Sequence, residues 1–225
     1  MALDLPSLDG AKALAAKVRA SADLFKVGLE LFVEAGPRAV TEIRDAGAKP
    51  IFLDLKLHDI PETVERAVAR ACALGASMLT VHAGGGPRML ARAVERAAKE
   101  ATGLTIIAVT VLTSLDADDL KAIGVAASPE AHAALLARMA WAAGVRSFVC
   151  SPQEVGRLRE ALGPEAYLVT PGVRPAGASH GDQKRVDTPE GAVARGASAV
   201  VVGRPIRDAG DPAAAAAEIA RALRA

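Results

Sequence analysis

Short runs of β-branched and aliphatic residues alternate along the chain with longer, alanine-rich amphipathic stretches, and the alternation repeats eight times. The runs that read as strands are 1–5 (MALDL), 23–29 (DLFKVGL), 49–56 (KPIFLDLK), 77–83 (SMLTVHA), 104–112 (LTIIAVTVL), 145–151 (VRSFVCS), 166–173 (AYLVTPGV) and 198–203 (SAVVVG). Several stretches between them open on a helix-starting signature. Ser7 can cap a helix over 8–20, and Pro61 stands near the start of the segment after Asp59, where its missing N–H leaves no intrahelical bond unmade. Ser128-Pro129 opens a run through Ala143, Thr188-Pro189-Glu190 opens another, and Asp211-Pro212 begins the tail through Ala225. Gly47, Gly75, Gly144 and Gly196 each precede a strand by a few residues, as a glycine ending a helix would.

Strands separated by helices pair in parallel, with helices covering the sheet. Eight such units predict a single (β/α)8 TIM barrel spanning 1–225 as one domain. An open, doubly wound sheet would more often carry a glycine-rich first turn, and the first turn here, ALDLPSLDG, has none.

Composition narrows the function. Twenty-seven basic side chains against 26 acidic give a net charge of +1, so any anion must be bound by a local site and not by a general field; no nucleic-acid partner is expected. Of the 225 residues 51 are alanine and only six are aromatic, which suits small-faced helices on a sheet and not stacking platforms for single strands. No apolar run reaches the length of a membrane span, and MALDLPSLDG has no basic region before an apolar one, so neither membrane insertion nor secretion is expected. Cys72 and Cys150 lack metal or redox spacing and read as buried small hydrophobes in a cytoplasmic protein.

The chemistry concentrates in Ile51-Phe52-Leu53-Asp54-Leu55-Lys56-Leu57-His58-Asp59-Ile60-Pro61. Side chains alternate along a strand, so Leu53, Leu55 and Leu57 share the helix-facing side while Phe52, Asp54 and Lys56 point into the barrel near the C-terminal end that carries active sites. Inward charges are costly unless they pair with each other or with a ligand, so the segment is either a structural ion pair at the barrel mouth or a reactive site. Asp59 follows in the loop and can add a carboxylate. Lys26 stands among apolar residues before Gly28, either inward or reaching to the rim, and Asp4 has the same ambiguity. At the far end, Thr170-Pro171-Gly172-Val173-Arg174 and Val202-Gly203-Arg204-Pro205 lie after the seventh and eighth strands, where these barrels frequently hold phosphate. Gly203 permits close backbone approach, and Arg174 and Arg204 can make charge-assisted bonds, unless both are simply solvated.

With those residues in view, the chain resembles the orotidine 5′-phosphate decarboxylases across essentially its whole length. The resemblance rests on FLDLKLHDIPETV, VTVLTSL, VTPGVRP with GDQKR, and VVGRPI, in that order. The Asp-x-Lys-x-x-Asp core alone is shared with sugar-phosphate decarboxylases and synthases of the superfamily. The resemblance implies decarboxylation of orotidine 5′-monophosphate to uridine 5′-monophosphate without cofactor or metal. It implies an alternating network of Lys26, Asp54, Lys56 and Asp59, with Lys56 as proton donor and Asp59 contributed across a homodimer interface. It further implies that Asp4 and Lys26 hold the ribose hydroxyls, that Thr63 contacts the partner's ligand, and that Thr113 reads the pyrimidine edge. Arg174, Gln183, Gly203 and Arg204 match the phosphate grip, with Gln183 also bridging phosphate and base, Pro171 counted among the substrate-binding residues, and residues 176–182 as a lid. Only Met1 precedes the Ala-Leu-Asp motif, so the expectation is either a short first strand or a true start that lies upstream.

The histidines carry less. His58 reads as a loop contact, His82 as a residue near the site mouth, and His132 and His180 as helix-surface and lid positions. Three rivals remain open at this stage. A metal-assisted sugar-phosphate decarboxylase would share the charged core but leave the Leu-Thr-Ser turn and Gln183 without a purpose. A Schiff-base aldolase would need Lys56 unprotonated beside carboxylates. A non-catalytic sensor of nucleotide phosphate would have no use for costly buried charges.

Overall fold

A computed structural model describes residues 1–174 and 187–224. Along the chain run α1 (Leu8–Val18), β1 (Phe25–Val27), α2 (Leu29–Ala35), α3 (Arg38–Gly47), β2 (Ile51–Leu57), α4 (Pro61–Ala73), β3 (Met78–His82), α5 (Gly86–Glu100) and β4 (Thr105–Val109). They are followed by α6 (Ala117–Ala122), α7 (Pro129–Ala142), β5 (Ser147–Val149), α8 (Val155–Leu162), β6 (Tyr167–Thr170), α9 (Pro189–Ala194), β7 (Ala199–Val200), α10 (Arg204–Arg207) and α11 (Pro212–Ala222). The seven strands form one curled, wholly parallel sheet in chain order.

The first expected strand is reduced to a single parallel bridge between Ala2 and Lys26. On one side Leu3 donates to the Lys26 carbonyl at 2.9 Å, and on the other Ala2 donates to the Val202 carbonyl at 2.7 Å. The Leu5 N–H then turns back to the Leu3 carbonyl at 3.1 Å, a tight turn around Asp4 that ends the pairing. The other strands are trimmed for similar reasons. Gly28 is already the N-cap of α2, which shortens the expected 23–29 run, and pairing of 166–173 stops at Thr170 apart from a bridge between Val173 and Asp187.

Capping follows the sequence signals. Ser7, Ser128, Thr188 and Asp211 each accept backbone N–H groups in the first turn of α1, α7, α9 and α11, and Pro61 occupies the first turn of α4. Gly75, Gly144 and Gly196 adopt positive φ after their helices, but Gly47 does not. Ala48 takes the left-handed position instead, at φ 51°. Gly47 is needed for another reason: a Cβ there would lie 2.2 Å from the ring of Phe25, which is fully buried.

Alternation on the strands sorts the core into two layers. Leu53, Leu79 and Phe148 belong to the large cluster, with Leu55 and Leu57 packed against it. Phe52, Ile107 and Val169 form a second, inner cluster with Met78, Val149, Tyr167 and Val201. Phe52, Val149 and Val201 of that inner cluster also line a cavity.

Candidate active site

β2 places Asp54 and Lys56 beyond Phe52 on the inner face. Between Leu53 and Leu57 the pairing with β3 slips, because Leu53 pairs with Leu79 and Leu57 with Val81, so β2 carries two extra residues. Lys56 sits within this irregularity at φ 50°, a conformation an unbranched residue tolerates but rarely adopts. The bulge turns the Lys56 ammonium back onto Asp54.

The charges form a chain. Lys56 Nζ donates to Asp54 Oδ2 at 2.8 Å, Lys26 Nζ lies 3.3 Å from the same oxygen, and Lys26 Nζ also donates to Asp4 Oδ1 at 3.0 Å. Asp54 is 8% exposed. Burial pushes its pKa up, but the ammonium groups of Lys26 and Lys56 and the hydrogen bonds from Lys56 and Thr80 outweigh burial and hold it below the ordinary carboxylate value. On Lys26 burial works against the charge, yet Asp54 and Asp4 more than offset it and hold the pKa above the ordinary lysine value. Both groups are therefore charged at neutral pH.

This chain lines a cavity of about 570 Å3. Pro171, Arg174, Gly203 and Arg204 line the same cavity, as do Thr113 and Ser114. The cavity thus brings together the charge chain, apolar side chains of Val109, Val111 and Val149, and the arginines Arg174, Arg204 and Arg207. Arg174 is 9% exposed and donates to its own neighbour's carbonyl, that of Val173, at 2.7 Å. A ligand with an anionic tail and a ring of modest polarity matches those walls.

Two expected site residues stay out of the cavity. Asp59 is exposed, and its carboxylate accepts the Ile60 N–H at 2.6 Å. Thr63 is exposed at the start of α4. Gln183, the 176–182 loop and His180 lie outside the described residues. His58 is exposed with its ring 5.4 Å from that of His82, and neither lines the cavity. Burial, then the charges of His58 and Lys56, keep the His82 pKa below its ordinary value.

The sequence reading passed over two residues that touch this machinery. Thr80 on β3 is fully buried and donates to Asp54 Oδ1 at 3.0 Å. A polar residue facing inward on the strand beside the charged one was the available signal. Arg207 lines the cavity and donates to the Asp4 carbonyl at 2.7 Å, while its remaining nitrogens pair with Asp208. Nothing in the local sequence links position 207 to position 4; only the return of α10 beneath the first residues does.

Known proteins give the same picture. The family model described as "Orotidine 5′-phosphate decarboxylase / HUMPS family" matches residues 1–219. A protein named orotidine 5′-phosphate decarboxylase from Anaeromyxobacter sp. (strain K) is 55% identical over 222 residues, covering 99% of this chain and 96% of that one. The protein of that name from Thermobifida fusca is 49% identical, covering 99% and 94%. Among solved structures, orotidine 5′-phosphate decarboxylase from Lactobacillus acidophilus is similar with a TM-score of 0.85 at 36% identity, covering 100% of this chain and 97% of that one. A cavity that joins a Lys–Asp–Lys chain to a pair of arginines, set on a parallel curled sheet and matched end to end in this way, leaves one assignment: the chain belongs to the orotidine 5′-phosphate decarboxylase / HUMPS family.

Proposed function

We propose that the chain is a carboxy-lyase that converts orotidine 5′-monophosphate to uridine 5′-monophosphate and CO2 in pyrimidine biosynthesis, with Lys56 protonating C6. The activity follows from family membership and from the names of relatives at 46–55% identity. The observation that carries the role of Lys56 is its ammonium, 2.8 Å from a buried carboxylate and lining the cavity.

In this reading the bond between C6 and the carboxylate breaks, the electron pair stays on C6 and CO2 leaves. No neighbouring carbonyl delocalises that pair, so a fixed ammonium beside C6 is the available stabiliser. Lys56 then transfers a proton to C6 and regains one from water. Asp54 keeps the ammonium aimed, and its charge disfavours a second carboxylate beside it before CO2 departs. Arg174, Gly203 and Arg204, with Pro171 beside them, take the phosphate, and Gln183 belongs to the same grip by resemblance. Asp4 and Lys26 take the ribose hydroxyls, and Thr113 faces the base. Binding energy from the phosphate orients the ring over Lys56. The reading needs no cofactor.

Three finer elements belong to the same proposal. The short segment at Ala2 and Leu3 takes the place of an eighth strand closing a single-domain (β/α)8 barrel, a view supported by its hydrogen bonds to both sheet edges. The chain works as a homodimer in the cytoplasm, with Asp59 and Thr63 reaching the neighbouring subunit's site; their exposure supports this. No described helix is long and apolar enough to cross a membrane.

Ultraviolet loss of orotidine 5′-monophosphate tests the proposal. The purified chain should turn over, and Lys56→Ala should lose at least about 10³-fold in kcat, within the range for a general acid, while still binding uridine 5′-monophosphate. Wild-type-like turnover by Lys56→Ala would remove Lys56 from the mechanism.

A further inference from the structure

We infer that Thr80 is a positioning residue of this site, whose single hydroxyl fixes the Asp54 carboxylate and the Lys56 backbone together. The inference rests on the reading of Lys56 as proton donor and adds to it what holds that lysine in place.

Thr80 lies on β3 opposite the irregular part of β2 and is fully buried. Its Oγ1 accepts the Lys56 N–H at 2.8 Å and donates to Asp54 Oδ1 at 3.0 Å. A hydroxyl has one proton to give and lone pairs to accept with, so both contacts are made by one group without conflict. Each answers a need created by the bulge. The slip between Leu53 and Leu57 takes Lys56 out of the β2–β3 register, and its partly buried N–H, which the ladder no longer serves, needs another acceptor. Its positive φ is a conformation that persists only when neighbours over-determine it. At the other end, engaging Oδ1 leaves Asp54 Oδ2 facing both ammonium groups, Lys56 at 2.8 Å and Lys26 at 3.3 Å. Rotation of that carboxylate would release Lys56 Nζ, and relaxation of the Lys56 backbone would redirect the whole side chain.

Valine matches threonine in shape and removes the hydroxyl, whereas serine keeps it and removes a methyl. In Thr80→Val we expect kcat to fall on the order of 10- to 100-fold, the scale on which misplacement near reacting atoms acts. Thr80→Ser should recover most of that loss. Affinity for uridine 5′-monophosphate should hold in both, because that nucleotide lacks the departing carboxylate that meets Asp54. A purely structural threonine predicts something else: a lower melting temperature in Thr80→Val with kcat unchanged in the folded fraction, and that result overturns the inference. If the valine variant does not fold, Thr80→Cys serves, since its weaker thiol should lower kcat and an unchanged kcat is again fatal. Lys56→Ala assayed alongside separates the two levels. Full activity there refutes the proton-donor reading and this inference with it, whereas an inactive Lys56→Ala beside a fully active Thr80→Val refutes only the role of Thr80.

Discussion

Asp54→Asn tests the charge chain at its centre. The substitution keeps shape and leaves Thr80 an oxygen to donate to, but removes the charge shared by Lys26 and Lys56, 3.3 and 2.8 Å away. Removing one partner of a buried ion pair costs about 3–5 kcal/mol. The lower end applies here, because Lys26 retains Asp4 at 3.0 Å and the Lys56 side chain is 30% exposed. About 3 kcal/mol corresponds to a melting temperature lower by about 6–12 °C for a chain of this size. The loss should also depend on pH. The folded pKa of Asp54 lies below its unfolded value, so its contribution is present above the ordinary carboxylate range and disappears as pH falls through the depressed folded value. The folded pKa of Lys26 is raised, so its contribution is present below the ordinary lysine range and disappears as pH rises through the raised value. The gap between wild type and variant is therefore widest between about pH 5 and pH 9 and narrows toward either extreme. Denaturant unfolding across that range measures it, and ultraviolet turnover on the same samples should show most activity lost while uridine 5′-monophosphate still binds. A gap under about 1 kcal/mol, the scale of exposed pairs, or one that grows as pH falls below the carboxylate range, would refute the reasoning.

Gly47→Ala should destabilise the fold by about 1–3 kcal/mol, as overpacking does, with kcat unchanged, because the added carbon meets the Phe25 ring and not the cavity; chemical denaturation measures it. Sharing of sites across a homodimer predicts complementation. Lys56→Ala and Asp59→Ala, each inactive alone, should recover roughly a quarter of wild-type sites when unfolded and reassembled together at equal concentration, since half the dimers are mixed and each has one intact site. No recovery in dimers shown to be mixed would place the action of Asp59 within its own subunit.

The sequence by itself determined much of this molecule. Alternating short strands and amphipathic helices, with caps at Ser7, Ser128, Thr188 and Asp211, prescribe parallel pairing because local periodicity and local hydrogen bonding set both. The two-residue period of Phe52 and Asp54 was enough to turn the carboxylate inward, and the motif order was enough to indicate the family, but the aim of Lys56 came from the slipped register that no alternation announces. What tertiary structure decided depends on contacts between residues far apart in the chain. The first strand shrinks to a bridge at Ala2 because the chain turns at Asp4, a turn that hydrophobic alternation in MALDL does not reveal. Gly47 serves the ring of Phe25 and not a helix end, which only the packing of α3 on β1 discloses. Thr80 and Arg207 enter the site through a slipped register and a returning helix; Thr80 offers only an inward polar position on its strand, and Arg207 has no signature in its own neighbourhood. Periodicity is a property of neighbours along the chain, whereas a hydroxyl that serves two groups 24 and 26 positions away exists only after the sheet has formed.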